Sequence, residues 1–208
     1  MFGFDPLAMV AGVPGLLIAL VIHEYAHALI AEKMGDPTAA MSGRLTLNPL
    51  AHIDPIGTLM LLVAQFGWAK PVPINPNNFR NWRQGEICVS LAGPAANLIT
   101  GFVFFILYNV VLNTGLFAST ALSQVLALVA VYNVNFAIFN MIPLPPLDGS
   151  HILKCFLPTE WCYKLESIER YSFLIFIALM FTGVFAYILI PLQRLFFTLF
   201  TLIVRPFF

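Results

Sequence analysis

The chain has 208 residues, 60% of them apolar and 10% charged, and its mean hydropathy is +0.87. A water-soluble domain carries roughly 25% charge, so this composition excludes a compact soluble fold and points to an integral membrane protein. Ten basic residues balance ten acidic ones, which leaves no positive field for nucleic acid and no acidic tail.

A membrane-crossing helix needs about 20 apolar residues. In chain order the first candidate is 7–31, stopped by Gly35-Asp36-Pro37. This run lacks a basic leader and carries His23, Glu24 and His27, so it is expected to be a retained helix rather than a cleaved signal. A Pro-, Gly- and Asn-rich region, 43–84, follows. Within it Arg44–Asn48 and Lys70–Ile74 alternate as short strands would, predicting a small β-hairpin at the membrane surface. The apolar piece 56–68 is too short to cross and reads as re-entrant or interfacial. His52 and Asp54 read as turn or cap residues of the same loop.

The second span is expected at 87–112, the third at 118–142, ending in Pro143-Leu144-Pro145-Pro146, and the fourth at 171–190, ahead of Pro191. The last apolar stretch, 195–204, is either interfacial or an extension of the last helix. The expected fold class is therefore an all-α polytopic membrane protein, with about four spans and a β-hairpin or re-entrant segment between the first two. All of 1–208 reads as a single membrane-embedded domain. Cys88, Cys155 and Cys162 form no C-x-x-C pair, so neither a disulfide framework nor a cysteine zinc site is expected.

Basic residues set the topology. Lys33, Arg44, Lys70, Arg80 and Arg83 follow the first span, none lies in 113–119, and Lys154, Lys164 and Arg170 follow the third. The positive-inside rule places the first and third loops in the cytoplasm.

Ionisable residues inside a span are costly and mark function. His23 and His27, four apart, share one helix face and can reach one metal ion, while Glu24 lies beside them where its carboxylate can meet a water molecule on the metal. That is the zinc-peptidase pattern H-E-x-x-H. A catalytic zinc needs a third protein ligand and an open fourth position. Asp148, after the proline break at the end of the third span, is the candidate on the same membrane side; as a bare Asp it could equally be a helix cap or turn residue. His151, three positions on, is either an alternative ligand or a polar residue near the site. Asn133 and Asn135 read as bonding between helices or lining the cavity.

His23-Glu24-x-x-His27, Gly93-Pro94-Ala95-Ala96-Asn97, and Asn140-x-x-Pro143 followed by Leu147-Asp148-Gly149 together resemble the site-2 protease family of intramembrane zinc metalloproteases. The loop phrases 52–58 and 67–73 look like its compact prokaryotic branch, with no room for a PDZ-like insert. The resemblance implies one Zn²⁺ held by His23, His27 and Asp148, with Glu24 as general base and then proton donor to the leaving amine. It also implies that Asn97 and Asn140 lie near the substrate or its developing oxyanion. The substrate class implied is a transmembrane-helix protein in the cell membrane, cleaved toward the cytoplasmic side, with the lipid bilayer as surroundings and no nucleic acid. Two other classes fit parts of the pattern: a membrane metal transporter or metal-binding protein, in which Glu24 would be a ligand or dispensable, and a catalytically inactive binding relative.

Overall fold

In the computed structural model, residues 6–57, 69–115 and 120–207 are described. Four of their helices are long and apolar enough to cross a membrane: Ala11–Met34, Trp82–Thr114, Ala121–Asn140 and Val184–Phe207. The chain is a multi-pass membrane protein. We label the helices of seven or more residues α1 (Pro6–Met34), α2 (Trp82–Thr114), α3 (Thr120–Asn140), α4 (Asp148–Lys154), α5 (Thr159–Glu169), α6 (Ser172–Thr182) and α7 (Val184–Val204).

The starts and stops follow local chemistry. Helix α1 ends at the expected Gly35, which takes φ +113. Asn81 caps α2 by accepting from the Gln84 amide at 3.0 Å, and the helix closes on a left-handed Gly115. The fourth crossing is displaced from the expected 171–190. The break falls at Gly183, whose φ of +72 ends α6, and α7 then runs straight through Pro191 to Val204. Residues 195–204 therefore belong to the last helix. A proline inside a membrane helix is tolerated because neighbouring groups satisfy the freed carbonyl, whereas a left-handed residue redirects the chain.

Helices α1, α2 and α3 form the central packing unit. Small residues allow close approach: a Cβ on Gly15 would stand 2.8 Å from Tyr132 Cδ2, and one on Gly101 2.9 Å from Val134 Cγ2. Helix α7 covers the outside. Phe200 packs with Val134 and Ile138, its ring 4.9 Å from that of Phe102, while Phe185 meets Phe139 at 5.5 Å.

The expected hairpin is not present among the described residues. Only an isolated antiparallel bridge joins Ile53 to Ala69, and the Lys70 amide donates to the His52 carbonyl at 3.0 Å. Pro71 and Pro73 have no N–H to give, and the Val72 amide goes to the Glu24 side chain rather than to a strand partner, so no ladder continues from Lys70. The proposed re-entrant piece 56–68 lies largely in 58–68, outside the described residues. Asp54 accepts from the Gly57 amide as a turn or cap residue does, while His52 is fully buried and donates through Nε2 to the Thr46 carbonyl.

Asp36 ties the first loop together. Fully buried just beyond α1, it accepts from the Thr38 amide at 3.1 Å and from the Thr38 hydroxyl. It also accepts from the Asn75 amide and the Asn78 side chain, both at 2.7 Å. Burial alone would raise its carboxyl pKa, but these donors outweigh it and hold the group below its ordinary value. A lowered value means that the stabilisation is complete above the ordinary carboxylate range and is lost as pH falls through the folded-state pKa. Asp36→Ala strands the donors and should lower stability by about 2–4 kcal/mol. A thermal-unfolding midpoint in detergent should fall accordingly at neutral pH, and the gap to wild type should narrow on acidification.

Candidate metal centre

Helix periodicity places His23 and His27 on one face of α1, and both are buried. The break after α3 turns the chain so that α4 starts at Asp148, beside them. Asp148 Oδ2 lies 3.2 Å from His23 Nε2 and 3.3 Å from His27 Nε2, and the two Nε2 atoms are 2.9 Å apart. The structure thus brings together three residues that are distant in sequence, and among the described residues they are the one such cluster of potential ligands.

The outer hydrogen bonds decide what these atoms carry. His23 Nδ1 is 2.7 Å from Asn97 Oδ1, and His27 Nδ1 is 2.8 Å from the Val89 carbonyl. Asn97 is oriented unambiguously: its Nδ2 donates to the Ala19 carbonyl and to Asn133 Oδ1, and Asn133 Nδ2 donates to the Val129 carbonyl. Both imidazoles therefore face acceptors at Nδ1 and carry their proton there. Their Nε2 lone pairs point at one another and at Asp148 Oδ2. That oxygen is buried and has no hydrogen-bond partner.

Three lone-pair donors within 3.3 Å of one another repel unless something positive lies among them. Donors about 2.0–2.1 Å from a tetrahedral zinc would stand roughly 3.3 Å apart, so the group fits such an ion. Asp148 contributes the one carboxylate of the three donors, a ligand type that zinc accepts beside imidazole nitrogen.

One stripe of α2 supports the whole cluster. Glu86, Val89, Gly93 and Asn97 succeed one another at helical spacing. Glu86 Oε1 accepts from His151 Nδ1 at 3.0 Å and so holds α4, while Val89 and Asn97 orient the two imidazoles. Gly93 makes room: a Cβ there would sit 2.6 Å from both His23 Nδ1 and His27 Nε2. A Cβ on Gly149 would run into the Met141 carbonyl, which lets α4 turn tightly against the end of α3.

Glu24, His23, His27, Asp148, Asn140 and His151 all line a cavity of about 990 Å³, whose remaining wall is mostly apolar. This is the upper end of the usual range for ligand sites. Glu24 Oε2 accepts from the Val72 amide at 2.8 Å. Asn140 lies on the wall and donates to the Phe136 carbonyl at 2.9 Å. One expected placement changes. Asn97 is fully buried behind His23 rather than on the cavity wall, with both ends of its amide engaged. Of the two readings of His151, the structure has it near the site as a polar residue, outside the donor cluster and paired with Glu86. Neither Glu86 nor the Val72 amide stood out in the sequence: Glu86 opens a long helix and reads as a solvated charge, and a backbone donor leaves no letter.

The model for peptidase family M50 matches residues 110–183. YwhC of Bacillus subtilis (strain 168), named as a candidate zinc metalloprotease, is 40% identical over 199 residues, covering 92% of this chain and 90% of its own. The chain belongs to peptidase family M50, the site-2 protease family. As a member it is a metalloprotease, and the family is one of zinc enzymes. Rip2 of Mycolicibacterium smegmatis, likewise named as a candidate zinc metalloprotease, is 31% identical over 175 residues, 82% of this chain and 66% of the relative. Zinc metalloprotease MJ0392 of Methanocaldococcus jannaschii is 24% identical over 151 residues, and this chain covers 34% of it. No solved structure matches.

Two changes test this M50 centre without touching a donor atom. Asn97→Leu removes the acceptor that orients His23 and should weaken zinc binding about 10–100-fold, read by competition with a chromogenic chelator. Gly93→Ala should do at least as much, because its methyl occupies space held by both rings.

Proposed function

We propose that this M50 member is an intramembrane zinc endopeptidase that hydrolyses peptide bonds within or near the transmembrane segments of membrane proteins. The observation that carries the reading is the convergence of three unprotonated donors, His23 Nε2, His27 Nε2 and Asp148 Oδ2, on the wall of a cavity that also holds an adjacent carboxylate. These three residues hold one Zn²⁺ per chain, and 1–208 acts as one membrane-embedded protease unit. When bound, the metal supplies Lewis acidity, polarising a carbonyl and acidifying water near neutral pH.

The rest is the work of side chains. Glu24 takes a proton from the attacking water and returns it to the leaving amine. Asn140, on the cavity wall with part of its amide committed to Phe136, offers its remaining polar atoms to the substrate backbone or to charge developing on the scissile oxygen. Asn97 orients His23 and does not touch substrate. The apolar walls accept an unwound stretch of transmembrane helix, whose carbonyls are otherwise closed in internal hydrogen bonds. The basic loops support a site toward the cytoplasmic face of the cell membrane.

The test combines metal analysis with cleavage of a panel of single-span peptides. Wild type and Glu24→Gln should each retain about one zinc, while Glu24→Gln should lose about 10²–10⁴-fold in kcat. Asp148→Ala and His27→Ala should lose the metal itself. Undiminished turnover by Glu24→Gln would overturn the reading, and zinc flux across vesicles without peptide cleavage would favour transport.

A further inference from the structure

Residues 69–75 form a segment without helix beside Glu24, and Ala69, Pro71, Val72 and Ile74 form part of the cavity wall. Both ends are pinned. At the first, the Lys70 amide donates to the His52 carbonyl at 3.0 Å, and the Lys70 carbonyl accepts from the buried Arg44 guanidinium at 2.6 Å. At the second, the Asn75 amide donates to Asp36 Oδ2 at 2.7 Å. Between them the sequence is Pro71-Val72-Pro73, so Val72 carries the one N–H of these three residues. That single donor points at Glu24 Oε2, 2.8 Å away. Glu24 Oε1 accepts no hydrogen bond among the described residues.

We propose that segment 69–75 is a positioning strap for Glu24: the Val72 amide holds one carboxylate oxygen and leaves the other free for the substrate water, while Arg44, His52 and Asp36 keep that amide in place. The inference rests on the reading of Glu24 as the general base. A glutamate has three side-chain torsions, and a proton-transferring group must be held close to its working geometry for its rate contribution to be realised. The two prolines stiffen the strap by fixing φ on either side of Val72. Val72 is buried against Ala28 and Ala39, which fixes the depth at which its amide stands.

The strap predicts that a residue remote from the reacting atoms, Arg44, governs kcat. Arg44→Ala should lower kcat about tenfold, with KM changed less than twofold and zinc content unchanged, and Arg44→Lys, which restores a donor to the Lys70 carbonyl, should recover most of it. A rise in KM at constant kcat, or loss of zinc, would overturn the proposal. A second measurement is independent of activity. Hydrogen–deuterium exchange at Val72 is isolated between two prolines, and it should be slow in wild type and in Glu24→Gln, which keeps an acceptor oxygen. It should be at least about tenfold faster in Glu24→Ala, while Lys70 and Asn75, held by His52 and Asp36, stay protected. Unchanged exchange at Val72, or simultaneous opening of all three amides, counts against the strap. If instead Val72 responds as described but Glu24→Gln cleaves normally, the hydrogen bond stands and the assignment of Glu24 as base fails.

Discussion

Three lone pairs forced to face one another inside a membrane protein are the constraint around which the rest is arranged. Each imidazole gives its only proton to an acceptor on α2, the Asn97 side chain or the Val89 carbonyl, which turns the bare nitrogens inward. Asp148 adds a buried, unbonded oxygen to the same point. In a low-dielectric interior such an arrangement is unfavourable unless a cation resolves it. The donor set thus explains why α2 has the composition it does. Its Gly93 admits the rings, and its polar residues Glu86 and Asn97 face inward although the helix lies in an apolar environment.

The same economy governs the other buried polar groups. From His23 a directional chain of hydrogen bonds runs through Asn97 and Asn133 to the Val129 carbonyl and links α1, α2 and α3. Each amide has one way round, because reversing either would set donor against donor. Two asparagines in a hydrophobic bundle would be costly alone; connected, they fix the register of three helices and the tautomer of a histidine together. Asp36 does comparable work at the surface, where one carboxylate gathers Thr38, Asn75 and Asn78 and so closes the loop that runs back over the cavity.

Much of this was legible beforehand. The first three crossings, the stop at Gly35 and the trio His23, His27 and Asp148 follow from hydropathy, helix periodicity and an ordered set of motifs. The fourth crossing was not, because Tyr171–Ile190 and Val184–Val204 are both apolar enough and the choice rests on one left-handed glycine at 183. The hairpin is absent because alternation says nothing of where the amides go: positions 71 and 73 are prolines, and the Val72 amide is taken by the Glu24 side chain. Asn97 was expected to face the substrate since a motif marks that a residue belongs to a site, not which side of a ligand it occupies.

What the order of residues decided on its own is the chemistry on offer: a chain too apolar for water, an H-E-x-x-H on one helix face, and an aspartate after a proline break. Those depend on local spacing and composition, which are properties of neighbours along the chain. Only the tertiary structure decided how that chemistry is held. It set which nitrogen of each histidine is bare, that His151 pairs with Glu86, that Asn97 stands behind the cluster, and that a backbone amide from residue 72 reaches Glu24. Each is a contact between segments far apart in sequence, settled by packing of helices and loops, and such contacts have no period or motif through which to announce themselves.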